Sequence, residues 1–166
     1  MDEENKTCCF TGHRPAKLPW GYNETDPRCL AMCEELRARL EEAYLSGYRH
    51  FLCGMALGCD MLFAEAVLSL RARHPDVFLE AVVPCADQPN RWTRPQRQRY
   101  NRILDSSNKV TILQVAYTPD CMLRRNRHMI GRSSLLIACY NGQPGGTRST
   151  MQYAMRAGLT VLTVEI

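Results

Sequence analysis

The stretch His50-Phe51-Leu52-Cys53-Gly54-Met55-Ala56-Leu57-Gly58-Cys59-Asp60 passes from an apolar run, through a glycine-flanked turn, into a segment of helical spacing. A brief apolar run ended by glycine reads as a buried strand, here His50 to Cys53. Beyond the turn, Leu62, Phe63, Ala66, Val67 and Leu70 recur on one face of a helix that runs to about Arg73, with Asp60 placed to cap it. Strand, turn and helix in that order make half of a βαβ unit, and the order repeats along the chain.

Upstream, Thr7 to Thr11 reads as a buried strand closed by Gly12. A proline-rich loop, His13 to Pro27, leads to a helix with Leu30, Cys33, Leu36, Leu40, Ala43 and Tyr44 on its apolar side and Gly47 at its end. Downstream, Phe78 to Val83 is a strand stopped by Pro84. A basic helix then carries Tyr100, Ile103 and Leu104, and Val110 to Val115 forms a fourth strand. Cys121 to about Ser133 is an arginine-rich helix, Leu135 to Cys139 a strand, Gly145 to Gly158 a turn and helix, and Leu159 to Ile166 a last strand. Strands that alternate with helices predict an α/β fold, a three-layer Rossmann-like sandwich with a mostly parallel sheet of about six strands and right-handed crossovers. The 166 residues suit a single domain, 1–166.

Apolar residues make up 45% and charged residues 23%, the balance of a folded globular chain rather than a disordered one. The longest apolar stretches, Val77 to Pro84 and Leu135 to Tyr140, fall short of the roughly 20 residues a bilayer requires. The start Met1-Asp2-Glu3-Glu4-Asn5-Lys6 lacks a basic, then apolar, leader, so a cytoplasmic location without a membrane partner is expected. Nine cysteines include no CxxC pair, and most read as buried thiols in apolar surroundings. Cys53, Cys59, Cys85 and His13 all fall in loops, but their spacing fits no ligand signature, and no metal is expected.

Charge divides the chain. Residues 1–90 sum to −5 and residues 91–166 to +9, and 18 of the 21 basic residues are arginine, whose planar fork suits phosphate. Arg91, Arg94, Arg97, Arg99 and Arg102, with Arg124, Arg125, Arg127 and Arg132, form either solvated helix faces or a track for a phosphate backbone.

In parallel sheets ligands bind beyond the carboxyl ends of the strands. Three such loops stand out: Thr11-Gly12-His13-Arg14-Pro15, Gly54 to Asp60, and Asn141-Gly142-Gln143-Pro144-Gly145-Gly146-Thr147. Two of them open helices, where unpaired N–H groups receive anions. Neither the GxGxxG dinucleotide fingerprint nor a Walker A loop is present.

Cys9-Phe10-Thr11-Gly12-His13-Arg14-Pro15, Leu18-Pro19-Trp20-Gly21-Tyr22, and Gly54-Met55-Ala56 with Gly58 and Asp60 together resemble the YpsA-like family of the SLOG superfamily. Pro84-Cys85, Gln88, Trp92, Cys121-Met122, Arg125-Asn126, Tyr140-Asn141-Gly142 and Gly145-Gly146-Thr147 extend the match to nearly the whole chain. The superfamily joins nucleotide-ligand sensors, DNA-processing DprA proteins and LOG enzymes that release a base from nucleoside monophosphates. The resemblance implies a phosphate cradled by Gly145, Gly146 and Thr147, approached by Gly12, His13 and Arg14, and framed by Gly54, Gly58 and Asp60. It also brings Trp92, Arg125, Asn126 and Asn141 to the ligand. Where LOG enzymes carry a catalytic glutamate three residues after the Gly-Thr, this chain has Thr150, and Asp60 and Glu65 are the nearest substitute carboxylates. Trp20, Tyr22 and Trp92 serve either as base-stacking platforms or as a lid.

These features are expected to give a non-catalytic sensor of a nucleotide or nucleotide derivative that signals to a protein partner, with no other cofactor. The alternatives are a nucleotide N-glycoside hydrolase and DprA-like binding of single-stranded DNA. A homodimer is the assembly the superfamily implies.

Overall fold

Apolar runs without polar alternation form strands that are covered on both faces. The computed structural model describes residues 6–166, so the acidic start read above, residues 1–5, lies outside it. The elements follow in the order β1 (Lys6–Gly12), α1 (Pro27–Leu45), β2 (Tyr48–Cys53), α2 (Cys59–Arg73), β3 (Phe78–Val83), α3 (Arg94–Ser106), β4 (Lys109–Ile112), α4 (Cys121–Gly131), β5 (Leu135–Tyr140), α5 (Gly146–Arg156) and β6 (Thr160–Glu165). The six strands form one sheet in the order β4-β3-β2-β1-β5-β6, and every neighbouring pair is parallel. This is the expected α/β, Rossmann-like architecture, with a sheet that is wholly parallel.

Successive strand residues feed two cores. Cys8, Phe10, Phe51, Leu79 and Ile137 meet Met32 and Leu36 of α1, Phe63 and Val67 of α2, and Tyr100 and Ile103 of α3. Phe10 and Phe63 stack there with ring centroids 4.4 Å apart. Cys9, Leu52, Val82, Leu136 and Ala138 face the other way, onto Met129 and Ile130 of α4 and Met151 and Ala154 of α5. Burial of each large side chain contributes about 1.5–3 kcal/mol.

Some sequence expectations shift. The apolar face of α1 is Cys29, Met32, Leu36, Leu40 and Ala43, which leaves Leu30 55% exposed. The fourth strand ends at Ile112, not Val115, because the chain turns from the sheet edge to bond the loop after β3, where Ala86 N donates to Gln114 O at 2.9 Å. Asp60 does not cap α2: Gly58 is the cap residue, and Asp60 lies inside the first turn.

One charged cluster sits under the sheet. Glu80 of β3 is fully buried and accepts hydrogen bonds from Arg132 (2.7 and 3.0 Å) and Thr111 (2.9 Å), with His50 Nε2 at 3.0 Å. Burial opposes its ionisation, but these partners prevail and hold its carboxyl at about 2. Arg132 directly follows α4, so the pair fixes that helix against the sheet.

All nine cysteines are free thiols, and every one except Cys33 is buried. Burial pushes Cys9 up to about 11 and Cys85 up to about 12, so these thiols stay protonated and unreactive. The loop set of Cys53, Cys59, Cys85 and His13 is not assembled, since among the described residues no three metal-ligating side chains converge. No helix among them is long and apolar enough to cross a membrane.

Candidate functional site

The chain builds β1 to β4 outward in one direction, then returns across the sheet to lay β5 on the free side of β1. The carboxyl ends of β1 and β5 therefore diverge at the point where strand order reverses, which is where such folds open a crevice. A crevice of about 370 Å³ opens there, lined by Gly12, His13, Arg14, Asp60, Arg125, Asn126, Gly146 and Thr147, all of them expected from the sequence.

His13 organises it. The ring is buried, and the backbone N–H of Asn141 donates to its Nε2 at 3.1 Å. A backbone N–H can only donate, so Nε2 is unprotonated and the proton sits on Nδ1. Nδ1 then donates to Thr147 Oγ1 at 3.3 Å, which leaves the threonine hydroxyl proton free to point at a ligand. Burial, helped by the nearby Lys17 charge, lowers the His13 pKa and keeps the ring neutral. Asn141 thus holds the site without lining it.

The start of α5 has no side-chain cap and no acidic residue in its first turn, so its N–H groups face the crevice with their positive dipole end uncompensated. Lys17, not singled out in the sequence, brings its ammonium against Gly145: a Cβ there would collide with Lys17 Nζ, and Gly145 also holds φ at 148°. Arg14 and Lys17 join none of the ion pairs among the described residues. Lys17 closes a 3-10 turn, Pro15–Lys17, that springs from the Arg14 loop, and the proline at its start was the available signal.

Arg125 forms the floor. It is 5% exposed, donates from Nη1 to Gly54 O, and donates from Nε to Asn126 Oδ1 at 2.8 Å. Asn126 Nδ2 donates in turn to Thr150 Oγ1 at 3.2 Å, whose own hydroxyl donates to Gly146 O at 2.9 Å. The residue that stands in the place of a catalytic glutamate is therefore committed to holding the start of α5. Gly54 and Gly58 lie behind the crevice wall rather than on it.

Asp60 is the single carboxylate among the lining residues. Its Oδ2 accepts the Ala56 N–H at 3.0 Å, the one donor within hydrogen-bond reach of that carboxylate among the described residues. Burial pushes its pKa up, while the Arg125 and Arg14 charges act against that shift. The crevice thus combines several positive groups with one carboxylate.

Other sequence candidates fall elsewhere. Glu65 is paired with Arg99, which also binds Glu24 at 2.8 Å, outside the crevice. Trp92 lines a separate groove, and Trp20 is buried beside Pro19 and Met32. Of the arginines of the second half, Arg132 binds Glu80, Arg124 donates to Gln114, and Arg127 lies over the Tyr153 ring at 5.1 Å, while Arg91, Arg94 and Arg102 are exposed. Phe10, Ala16, Ala56, Met122 and Met129 form the apolar part of the lining, for which the sequence offered no ligand signal.

Fold and crevice together define a Rossmann-like protein with a cleft rich in positive groups at its switch point. A family model described as the YspA SLOG family matches residues 8–160, and the chain belongs to that family. It is similar to the uncharacterised SPbeta prophage-derived protein YoqJ of Bacillus subtilis, with 26% identity over 147 residues, 81% of this chain and 86% of that one. A UPF0398 protein of Bacillus pumilus is 26% identical over 148 residues, 88% of this chain and 79% of the relative. Among solved structures, DNA processing protein A of Helicobacter pylori, described in its single-stranded DNA binding mode, superposes with a TM-score of 0.62 at 15% identity over 96% of this chain. The Streptococcus pneumoniae DprA superposes with a TM-score of 0.61 at 14% identity over 95% of it. This chain spans only 65% and 50% of those two proteins, and the likeness is one of fold.

Proposed function

We propose that the protein binds a nucleotide or nucleotide derivative in this crevice and acts as a sensor without turnover. The observation that carries the reading is the mixed lining of one cleft: Lys17, Arg14 and the uncapped start of α5 as its positive groups, and the Asp60 carboxylate as its only acidic one. An anion satisfies the first, and a hydroxyl or amine donor satisfies the second. A phosphate ester of a sugar carries both within the span of one small molecule. Thr150 in the glutamate position supports binding without base release, because a hydroxyl already donating to Gly146 O supplies neither acid nor base.

A thermal-shift screen against mono-, di- and cyclic nucleotides, NAD and ADP-ribose tests the reading. A ligand at about 100 times its Kd stabilises by about 2.7 kcal/mol, which raises Tm by roughly 5–10 °C in a domain of this size. The shift is expected to disappear in Lys17→Ala and Arg14→Ala, and chromatography of the incubated ligand is expected to return it intact. Silence across the panel from folded protein overturns the reading, and release of free base replaces it with the hydrolase.

A further inference from the structure

A second recess lies across a ridge from the crevice. A Cβ on Gly58 would stand 2.7 Å from His13 O, 2.9 Å from Pro15 Cδ and 3.0 Å from Arg14 Cα, so the ridge is a single layer of chain. Beyond it, a slot reaches Pro15 and Gly58 and shares Tyr22, Leu57 and Gln96 with an open groove of about 580 Å³. Trp92, Thr93 and Arg91 complete the groove.

Its chemistry is that of a stacking platform. Tyr22 is 71% exposed, although a large aromatic ring left in water forgoes the burial that would stabilise the fold. Trp92 is half-buried and braced at right angles to Tyr100, with centroids 5.3 Å apart. The chain beside it is fixed by the reciprocal Thr93–Gln96 capping box and by Arg97, which donates to Trp92 O. The ring is thus held rigid before any ligand arrives, which lowers the entropy cost of stacking on it. Gln96 Oε1 already accepts Thr93 N, so its amide nitrogen is the donor left for the edge of a heterocycle. Arg91 is exposed and joins none of the ion pairs among the described residues, while Arg99, deeper in the slot, is held by two carboxylates, Glu24 and Glu65. Arg91 is the only charged residue among those lining the open groove, and it is placed to meet a phosphodiester crossing the ridge.

The geometry points to a second subsite that stacks a nucleobase on Tyr22 and Trp92, joined through phosphate to the nucleotide in the crevice, so that the preferred ligand is a nucleotide chain of at least two residues. This rests on the crevice reading above and extends it over the Pro15–Gly58 ridge. A small dinucleotide and a single-stranded nucleic acid share that chemistry, and length dependence separates them.

Trp20 and Trp92 are the only tryptophans in the chain, so Trp20→Phe leaves Trp92 as the sole reporter. Adenosine monophosphate, 5′-phosphorylated diadenylate and a longer single-stranded oligoadenylate are titrated by fluorescence into this variant and by calorimetry into the unaltered protein. The dinucleotide is expected to bind at least about 5-fold tighter than the mononucleotide and to quench Trp92, the gain one stacked base gives. Tyr22→Ala, an exposed change, is expected to cancel that gain while mononucleotide affinity stays within about twofold. Further tightening on lengthening identifies a strand as the source, and a plateau identifies a dinucleotide. Equal affinity for the mononucleotide and dinucleotide, or a gain that survives in Tyr22→Ala combined with Arg91→Ala, overturns the second subsite and leaves the crevice reading standing. Absence of binding by every probe overturns the second subsite, and the crevice reading falls with it only if the wider nucleotide panel is also silent.

Discussion

The backbone N–H of Asn141 donates to His13 Nε2 at 3.1 Å across 128 positions of sequence, and this bond closes the crevice between the loops that follow β1 and β5. Protonation of Nε2 removes the acceptor. The His13 pKa is lowered from 6.5 in the folded protein, so below about pH 6.5 the unfolded chain takes up the proton first, and stability falls as pH drops through that window. Denaturation midpoints between about pH 7 and 5 are expected to fall, less steeply in His13→Asn, and ligand affinity is expected to weaken in parallel.

Glu80 and Arg132 pin α4 to the sheet from the side away from the crevice. Glu80→Ala removes the partner of Arg132, which is exposed enough for water to solvate it in part, and is expected to cost about 1–2 kcal/mol, read as a Tm drop of roughly 2–8 °C. The Glu80 carboxyl titrates near 4.5 in the unfolded chain and about 2 in the folded one, so its contribution is complete above pH 4.5 and is lost as pH falls toward 2. Acid unfolding of Glu80→Gln should lack that component.

Gly58→Ala and Gly145→Ala both strain the backbone and differ in what they do to the cleft. At Gly58 the new methyl meets the His13 carbonyl and the Arg14 backbone at φ 89°, and neither neighbour is able to yield. A loss of about 1–3 kcal/mol in stability is expected. At Gly145 the methyl meets the mobile end of Lys17 at φ 148°, so a comparable strain cost is expected together with a loss of phosphate affinity that Gly58→Ala does not share, checked by comparing Tm with ligand Kd in each variant.

Asp60→Asn tests the carboxylate of the crevice. A hydrogen bond to a charged group contributes about 1.5–3 kcal/mol, so preference for a ribonucleotide over its 2′- and 3′-deoxy forms is expected to shrink by about 10-fold or more in the variant. Affinity for inorganic phosphate is expected to rise, since a buried negative charge near the anion is removed.

Much of the fold was legible because its signals are local. Unbroken apolar runs such as Leu135 to Tyr140 mark strands buried on both faces, and glycine turns mark where helices begin. The loops of Gly12-His13-Arg14 and Gly146-Thr147 meet as expected, because strand order alone brings the ends of β1 and β5 together. What escaped depends on distant partners. Lys17 gains its place only from the approach of Gly145, and Glu80 is intelligible only beside Arg132, 52 residues away. Trp92 sits in a loop of the right kind, but on the wrong side of the Pro15–Gly58 ridge for the crevice.

The crevice has no single parent segment: its lining comes from residues 10–17, 56–60, 122–129 and 146–147, which only the finished sheet brings into register. A partly folded chain therefore offers a ligand nothing to hold, and occupancy and global folding become one equilibrium. Hydrogen exchange slowed by ligand should accordingly spread to the amides of β2 and β3 that touch no ligand atom, to the same free-energy increment as the rise in overall stability.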